Sequence, residues 1–267
     1  MTTSNLPRHI AIILDGNGRW AAQHGLPRTR GHEKGAGAVR IAVRGCRERG
    51  VKYLTLYAFS VANWSRPKEE IDGLMRICTE FAEGEREELM RRGVKVEIIG
   101  ELDEVPTPTR RAMERLVADT AGGTEMTLAL ALSYGGRRDM VNAMRALAVR
   151  ARAGLVIPEE INEHSLRDFL TTNPLPDPDL VIRTGGERRL SDFLLFECAY
   201  AELFFTETFW PDFSEVTLDE AITAFGRRQR RYGRVAAQPT VTGSAARPVR
   251  RVAPRGARRG ARAGRAW

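Results

Sequence analysis

Six short apolar runs punctuate the chain, and each stops at polar or glycine-rich residues. Ile10-Ala11-Ile12-Ile13-Leu14 ends at Asp15-Gly16-Asn17-Gly18. Residues 53–59 form an aromatic-rich run ending at Ser60, and residues 94–99 alternate until Gly100. Residues 126–132 lead into Ser133-Tyr134-Gly135-Gly136, and Leu180-Val181-Ile182 leads into Arg183-Thr184-Gly185-Gly186. Leu203-Phe204-Phe205 is the sixth. Continuous apolar runs of this length suit strands buried on both faces. Helical patterns lie between them, over residues 32–49, 67–92, 137–153, 166–170 and 218–232. The longest, 67–92, is opened by Pro67, Glu69 and Glu70 and closed by Gly93. Its apolar positions Ile71, Leu74, Met75, Cys78, Phe81 and Ala82 recur at helical spacing. Strand–helix alternation predicts an α/β fold, with a central, mostly parallel six-stranded sheet flanked by helices.

Composition adds bounds. With 267 residues, 42% hydrophobic and 28% charged, the chain has the make-up of a globular α/β protein. No apolar run approaches the roughly 20 residues of a membrane helix. The first residues lack a basic-then-apolar leader pattern, and a cytoplasmic location is expected. Cys46, Cys78 and Cys198 are far apart and form no CxxC pair, so they read as packing residues rather than a zinc or disulfide framework. The net charge of +8 is concentrated at one end. Residues 234–267 hold nine arginines and no Lys, Asp or Glu, which leaves −1 for residues 1–233. The expected organisation is a folded domain over 1–233 and a disordered, Arg-rich tail over 234–267. The tail suits peripheral contact with an anionic membrane, or it is a solvated extension without an essential role. No nucleic-acid partner is expected.

The chemistry collects where the apolar runs stop. Asp15, Ser60, Ser133 and Arg183 each follow such a run, and in a parallel sheet those positions share the carboxyl edge where ligands bind. In Asp15-Gly16-Asn17-Gly18-Arg19-Trp20, the glycines let backbone N–H groups approach an anion. Arg19 adds a guanidinium suited to phosphate oxygens. Asp15 would repel a phosphate unless a cation lay between them, and Mg²⁺ fits because it takes few carboxylates and fills its shell with phosphate and water. A plain Asp-Gly turn is the alternative. Gly16-x-Gly18-x-x-Ala21 also satisfies a dinucleotide fingerprint. The distance to the next strand, and the lack of an acidic residue about twenty positions on, count against that reading. Arg28, Arg30 and His32 lie near a helix start, a place that favours anions. Ser60, Asn63, Trp64 and Arg66 precede the longest helix. Arg183, Arg188, Arg189 and Ser191 form a second cationic group. Two anion sites, one metal carboxylate and a long apolar helix suggest two diphosphate substrates with apolar tails.

The string from His9 through Asp15-Gly-Asn-Gly-Arg-Trp-Ala21 resembles the opening signature of the cis-prenyltransferases. Gly31-His32, Tyr57-Ala-Phe-Ser60 with Asn63-Trp64-Ser-Arg66-Pro67, Asp179-Leu-Val-Ile-Arg183-Thr-Gly-Gly-Glu187, and Ala199-Tyr-Ala-Glu202-Leu-Phe-Phe205 with Trp210-Pro-Asp212-Phe213 agree in order. The resemblance spans residues 7–233. It implies an undecaprenyl diphosphate synthase-like fold with a hydrophobic tunnel, a homodimer, and Mg²⁺-dependent condensation of isopentenyl diphosphate with an allylic diphosphate, farnesyl diphosphate by expectation. The product would be a Z-polyprenyl diphosphate of undecaprenyl type. By resemblance, Asp15 and Glu202 hold the metal. Gly16, Asn17, Gly18, Arg19, Arg28 and His32 hold the allylic diphosphate, with Trp20 beside them. Arg183, Arg189, Leu190 and Ser191 form the isopentenyl site. Ser60, Val61, Ala62, Trp64 and Arg66 line the cleft, and Asn63 takes the position assigned to proton removal. Two positions depart from the family pattern: Ala62 stands where an acid is common, and Arg188 where a histidine is. Phe81 could floor the tunnel or pack in the core.

Overall fold

The computed structural model describes residues 6–227. The expected boundary at 233 and the Arg-rich tail lie outside them. Six strands form one sheet: β1 (His9–Ile13), β2 (Tyr53–Ser60), β3 (Val94–Ile99), β4 (Met126–Tyr134), β5 (Leu180–Arg183) and β6 (Glu202–Phe205). Their order is β3-β4-β2-β1-β5-β6, and every pairing is parallel. The chain builds outward from β1 through β2, then crosses to β5 on the other side. The end of β1 is thus a point where strand order reverses, the usual ligand crevice of open α/β sheets.

Alternate side chains divide the core between the two faces. Ile10, Ile12, Leu54, Leu56, Leu128, Leu130 and Ile182 face one side, with Trp210 and Phe213. Ala11, Ile13, Tyr57, Ala129, Ala131 and Val181 face the other, with Phe193 and Leu194. At the start of β1, buried His9 bonds to the Pro176 carbonyl at 2.7 Å and to Thr55 Oγ1 at 2.8 Å. Burial lowers its pKa to about 4, so the ring is neutral.

The helices are α1 (Asn17–Gln23), α2 (Arg28–Glu48), α3 (Lys68–Gly84), α4 (Arg86–Arg91), α5 (Thr107–Thr120), α6 (Gly136–Arg152), α7 (Glu163–Arg167) and α8 (Glu215–Arg227). The single helix expected over 67–92 is two. Gly84, a weak helix former, ends α3, and the chain restarts one residue later. Helix α1 begins inside the segment read as a glycine turn. Helix α5 was also unread, although Pro106 opens it and Met113, Leu116, Val117 and Thr120 repeat at helical spacing. Among the described residues no helix is long and apolar enough to cross a membrane.

Candidate active site

Strand β1 delivers Asp15 to the carboxyl edge of the sheet, and its neighbours lock it there. Buried Thr184, which follows β5, accepts from the Asp15 N–H at 3.0 Å and donates to the Asp15 carbonyl at 2.7 Å. The Trp210 N–H donates to the same carbonyl at 3.0 Å. Gly16 then turns the chain at φ +109, where a Cβ would lie 2.6 Å from Phe209. Helix α1 packs on α2 so closely that a Cβ on Gly35 would lie 2.3 Å from Asn17 Oδ1. That approach holds the turn against the N-terminus of α2, where Arg28 and His32 stand and no acidic residue occupies the first turn.

The Asp15 carboxylate is shared between two arginines. Arg183 Nη2 donates to Oδ2 at 2.8 Å, and Arg19 Nη2 lies 3.1 Å from Oδ1. Burial opposes ionisation of Asp15, but the Arg183 hydrogen bond and charge, with those of Arg19, outweigh it and hold the carboxyl below its usual range. Arg183 is only 4% exposed. Its Nη1 donates to Ser191 Oγ at 2.7 Å and to the Arg189 carbonyl, which draws the loop after β5 over the site. Arg189 and Arg19 converge on Glu187, at 2.5 and 3.9 Å.

A second knot faces this one. Glu70 on α3 is 8% exposed and meets three basic side chains: Arg66 at 2.9 Å, His32 at 3.2 Å and Arg28 at 3.2 Å. Burial works against the charge on Glu70, yet the His32 hydrogen bond and the two guanidiniums hold its carboxyl low. Burial lowers the His32 pKa, and the charges of Arg66 and Arg28 reinforce it against the pull of Glu70. Glu70 was read only as a helix-start acid. The signal for more was its place on the inner stripe of α3, four, seven and eleven residues before Leu74, Ile77 and Phe81.

Between these knots opens a cavity of about 420 Å³. Its mouth is lined by Asp15, Gly16, Asn17, Gly18, Arg28, His32, Ser60, Ala62, Asn63, Arg66, Arg183, Arg189 and Ser191. Below the mouth it runs between the sheet and α2 and α3, past Leu132, Leu130, Leu56, Val39, Leu74, Ile77 and Phe81. Four residues separate Ser60 from Leu56, so the apolar part reaches about 13 Å below the edge. The site is thus charged at its mouth and apolar beneath, the shape for a ligand with an anionic head and a hydrocarbon tail.

Several expected residues stand apart from the cavity. Trp20 donates to Asp212 at 2.9 Å and stacks on His24, and Leu190 packs against the second core face. Val61 lies beside Gly135. Trp64 turns its Nε1–H onto Ser133 at 2.8 Å. Glu202 opens β6 opposite Leu180, three positions before Arg183, and so stands at the start of its strand rather than at the edge shared by Asp15. Asn63 Oδ1 accepts the Ser60 N–H at 3.0 Å. Asn63 itself lines the cavity, with its Nδ2–H donors left to offer a ligand. Arg188 is exposed.

A divalent cation suits the donor set in a limited way. Asp15 is ionised and 28% exposed on its side chain. A hard cation that takes one carboxylate and completes its shell from phosphate and water fits there. A cage made wholly of protein groups does not: among the described residues no three acidic, His or Cys side chains converge.

Comparison with known proteins agrees with this geometry. Residues 13–233 match the Prenyltransf family model, that of undecaprenyl diphosphate synthase. An isoprenyl transferase of Clostridium perfringens is 45% identical over 228 residues, 85% of this chain and 90% of that protein. The ditrans,polycis-undecaprenyl-diphosphate synthase ((2E,6E)-farnesyl-diphosphate specific) of Micrococcus luteus is 44% identical over 233 residues, 87% of this chain and 94% of that protein. The crystal structure of lavandulyl diphosphate synthase from Lavandula x intermedia, in complex with dimethylallyl diphosphate, superposes with a TM-score of 0.84 at 34% identity, covering 85% of this chain and 98% of that one. A charged mouth over an apolar cavity, on an all-parallel sheet with these relatives, places the chain in the undecaprenyl diphosphate synthase family of prenyltransferases.

Proposed function

We propose that this protein condenses isopentenyl diphosphate with an allylic diphosphate, farnesyl diphosphate as starter, to give a Z-polyprenyl diphosphate of undecaprenyl type. The observation that carries the reading is the Asp15–Arg183 pair at the mouth of an apolar cavity. Gly16, Asn17, Gly18, Arg19, Arg28 and His32 take the allylic diphosphate on the N-termini of α1 and α2. Arg183, Arg189 and Ser191 take the diphosphate of isopentenyl diphosphate. As the allylic C–O bond breaks, negative charge grows on the leaving diphosphate, and the guanidiniums and N–H groups meet it there. Asp15 would hold Mg²⁺, and the ion would add charge neutralisation to a bound diphosphate. The terminal alkene carbon of isopentenyl diphosphate attacks the allylic cation, the charge moves to the substituted alkene carbon, and a proton leaves the carbon beside it as the new double bond forms. Asn63, as a donor, orients a diphosphate oxygen that accepts this proton. Among the described residues that line the mouth, Asp15 is the one carboxylate, and the expected homodimer would have to bring Glu202 to it from a second copy.

The test is incubation of purified protein with labelled isopentenyl diphosphate and farnesyl diphosphate, with and without Mg²⁺. A ladder ending at one long product and lost without metal supports the reading. No turnover with any allylic starter rejects it.

A shorter product is a second reading, and cavity size favours it. About 420 Å³ lies within the roughly 300–1,000 Å³ of sites for drug-sized ligands, which suits a few prenyl units better than an undecaprenyl chain. Phe81 lines the cavity and also packs against the core, so a floor role stays open to test. Phe81→Ala is expected to shift the product ladder upward by at least one prenyl unit, read by chromatography of the dephosphorylated alcohols. An unchanged ladder removes Phe81 as a floor.

A further inference from the structure

Ser133 is the one strand-end residue of the four that the cavity does not use. It is 1% exposed and sits at the end of β4 with φ +48, a left-handed conformation that is strained outside glycine. Its carbonyl accepts the Glu101 N–H at 3.3 Å. Its hydroxyl has two partners: it donates to Glu104 Oε2 at 2.6 Å and accepts from Trp64 Nε1 at 2.8 Å. The direction of both bonds is forced. An ionised carboxylate only accepts and an indole N–H only donates, so one hydroxyl between them serves both. Glu104 is held ionised first by the Ser133 hydrogen bond and then by Arg138 on α6, whose Nη1 lies 3.2 Å from Oε2.

The other end of this chain of bonds is the turn that carries Asn63. Trp64 belongs to the 3₁₀ turn Val61–Ser65. Its ring meets Phe59 edge-on at 4.7 Å, and its Nε1–H is tied to Ser133. Asn63 is tied back to Ser60. The turn is therefore pinned at two points, one on Ser60 at the end of β2 and one on Ser133 of the neighbouring strand β4. We infer that Ser133, set by Glu104 and Arg138, is a positioning residue that fixes the Val61–Ser65 turn through Trp64 and so presents Asn63 and Arg66 to the substrates. The inference rests on the prenyl-transfer reading for its kinetic consequence, while the hydrogen-bond relay itself stands on the geometry.

The experiment is a double-mutant cycle between Ser133→Ala and Trp64→Phe, with Glu104→Ala and Glu104→Gln alongside, read by kcat, KM and Trp64 emission. The emission of Trp64 is the difference between each protein and its Trp64→Phe counterpart. Loss of the pin should lower kcat about ten- to a hundredfold, the penalty of a displaced catalytic group, with the KM for isopentenyl diphosphate changed less than twofold. Ser133→Ala, Trp64→Phe and the double variant should fall by the same factor, since each breaks one relay. Glu104→Gln keeps an acceptor for the hydroxyl and should retain at least half of wild-type kcat, whereas Glu104→Ala should not. Multiplicative losses in the double variant, or wild-type kcat in Ser133→Ala, overturn the inference. If the wild-type protein itself turns over no allylic diphosphate, the prenyl-transfer reading fails, and Trp64 emission decides the relay alone. A shift common to Ser133→Ala and Glu104→Ala and absent from Glu104→Gln upholds it, and no shift overturns it.

Discussion

Asp15→Ala is expected to lower kcat by about 10³, the upper range for removing one group that stabilises transition-state charge, while leaving the KM for either diphosphate unchanged or lower. The two halves of that expectation have different origins. In the free protein Asp15 occupies Arg183 and Arg19, so it competes with a phosphate for the same guanidiniums. Its removal frees them, and ground-state binding of an anion does not suffer. Turnover does, because the carboxylate that would hold Mg²⁺ against the diphosphate is gone. An interaction made only as the C–O bond breaks shows in kcat rather than KM. Steady-state kinetics and binding of inorganic diphosphate, each with and without Mg²⁺, check both halves. If Asp15→Ala raises KM and spares kcat, Asp15 is a binding group alone. Asp15→Asn should behave as Asp15→Ala does, since the amide keeps the shape but neither the charge nor the ligand strength. Loss of folding is separated by a thermal melt: Arg183 keeps its bonds to Ser191 and the Arg189 carbonyl, which limits the damage from the lost pair.

Much of this site was legible before any coordinates, and the reason is geometric. A run such as Ile10 to Leu14 is too short for a typical helix and suits a strand buried on both faces, and in a parallel sheet every such strand ends at the same edge. The order of the chain therefore placed Asp15, Ser60 and Arg183 together. What remained hidden depends on side-chain direction, which periodicity does not carry. Ser133 shares the edge, but its left-handed backbone turns the hydroxyl toward Glu104 and Trp64 and away from the cavity. Trp64 reads as a cleft residue because it adjoins Asn63, yet its indole N–H needs a partner and finds one behind the turn. Glu202 follows an apolar residue in the chain but starts its strand, so the rule that gathers the other polar residues sends it to the opposite edge. Helix α1 was missed because Gly16 and Gly18 read as a loop. Only the packing of α1 on Gly35 makes a helix of seven residues worthwhile there.

Ala62 gains meaning from its surroundings. It lines the same mouth as Arg28 and Arg66, at a position where the family pattern would place an acid. Without that acid, Glu70 is the carboxylate that meets these two arginines at the mouth. The electrostatic balance of the allylic side therefore rests heavily on one buried residue.

Glu70→Gln tests that balance and is expected to destabilise the free protein while lowering kcat/KM for the allylic diphosphate about a hundredfold. Removing the charge leaves Arg28 and Arg66 facing each other across His32 with no anion between them. Glu70 is buried but Arg28 and Arg66 reach solvent, so the loss is that of hydrogen bonds to a charged group, about 1.5–3 kcal/mol, which for a domain of this size lowers Tm by roughly 3–12 °C. Guanidiniums no longer held in place then meet the diphosphate in poorer geometry, and displacement on the scale of an ångström accounts for the kinetic loss. A ligand distinguishes this account from plain misfolding. Inorganic diphosphate supplies the missing anion, so it should raise Tm more in Glu70→Gln than in the wild type. Equal shifts would mean that Glu70 does not share its cations with the substrate. Acid provides the second check. The native pKa of His32 lies below its ordinary 6.5, so the folded state binds fewer protons than the unfolded one, and stability falls as pH drops below 6.5. The native pKa of Glu70 lies below its ordinary 4.5, so its stabilisation is present above 4.5 and is lost as pH falls through the native value. Glu70→Gln abolishes that lower step outright. It also removes the carboxylate that favours protonated His32, so the upper step extends to lower pH. A wild-type and a variant melting curve that run parallel from pH 7 to pH 3 would show that the three basic groups do not depend on Glu70.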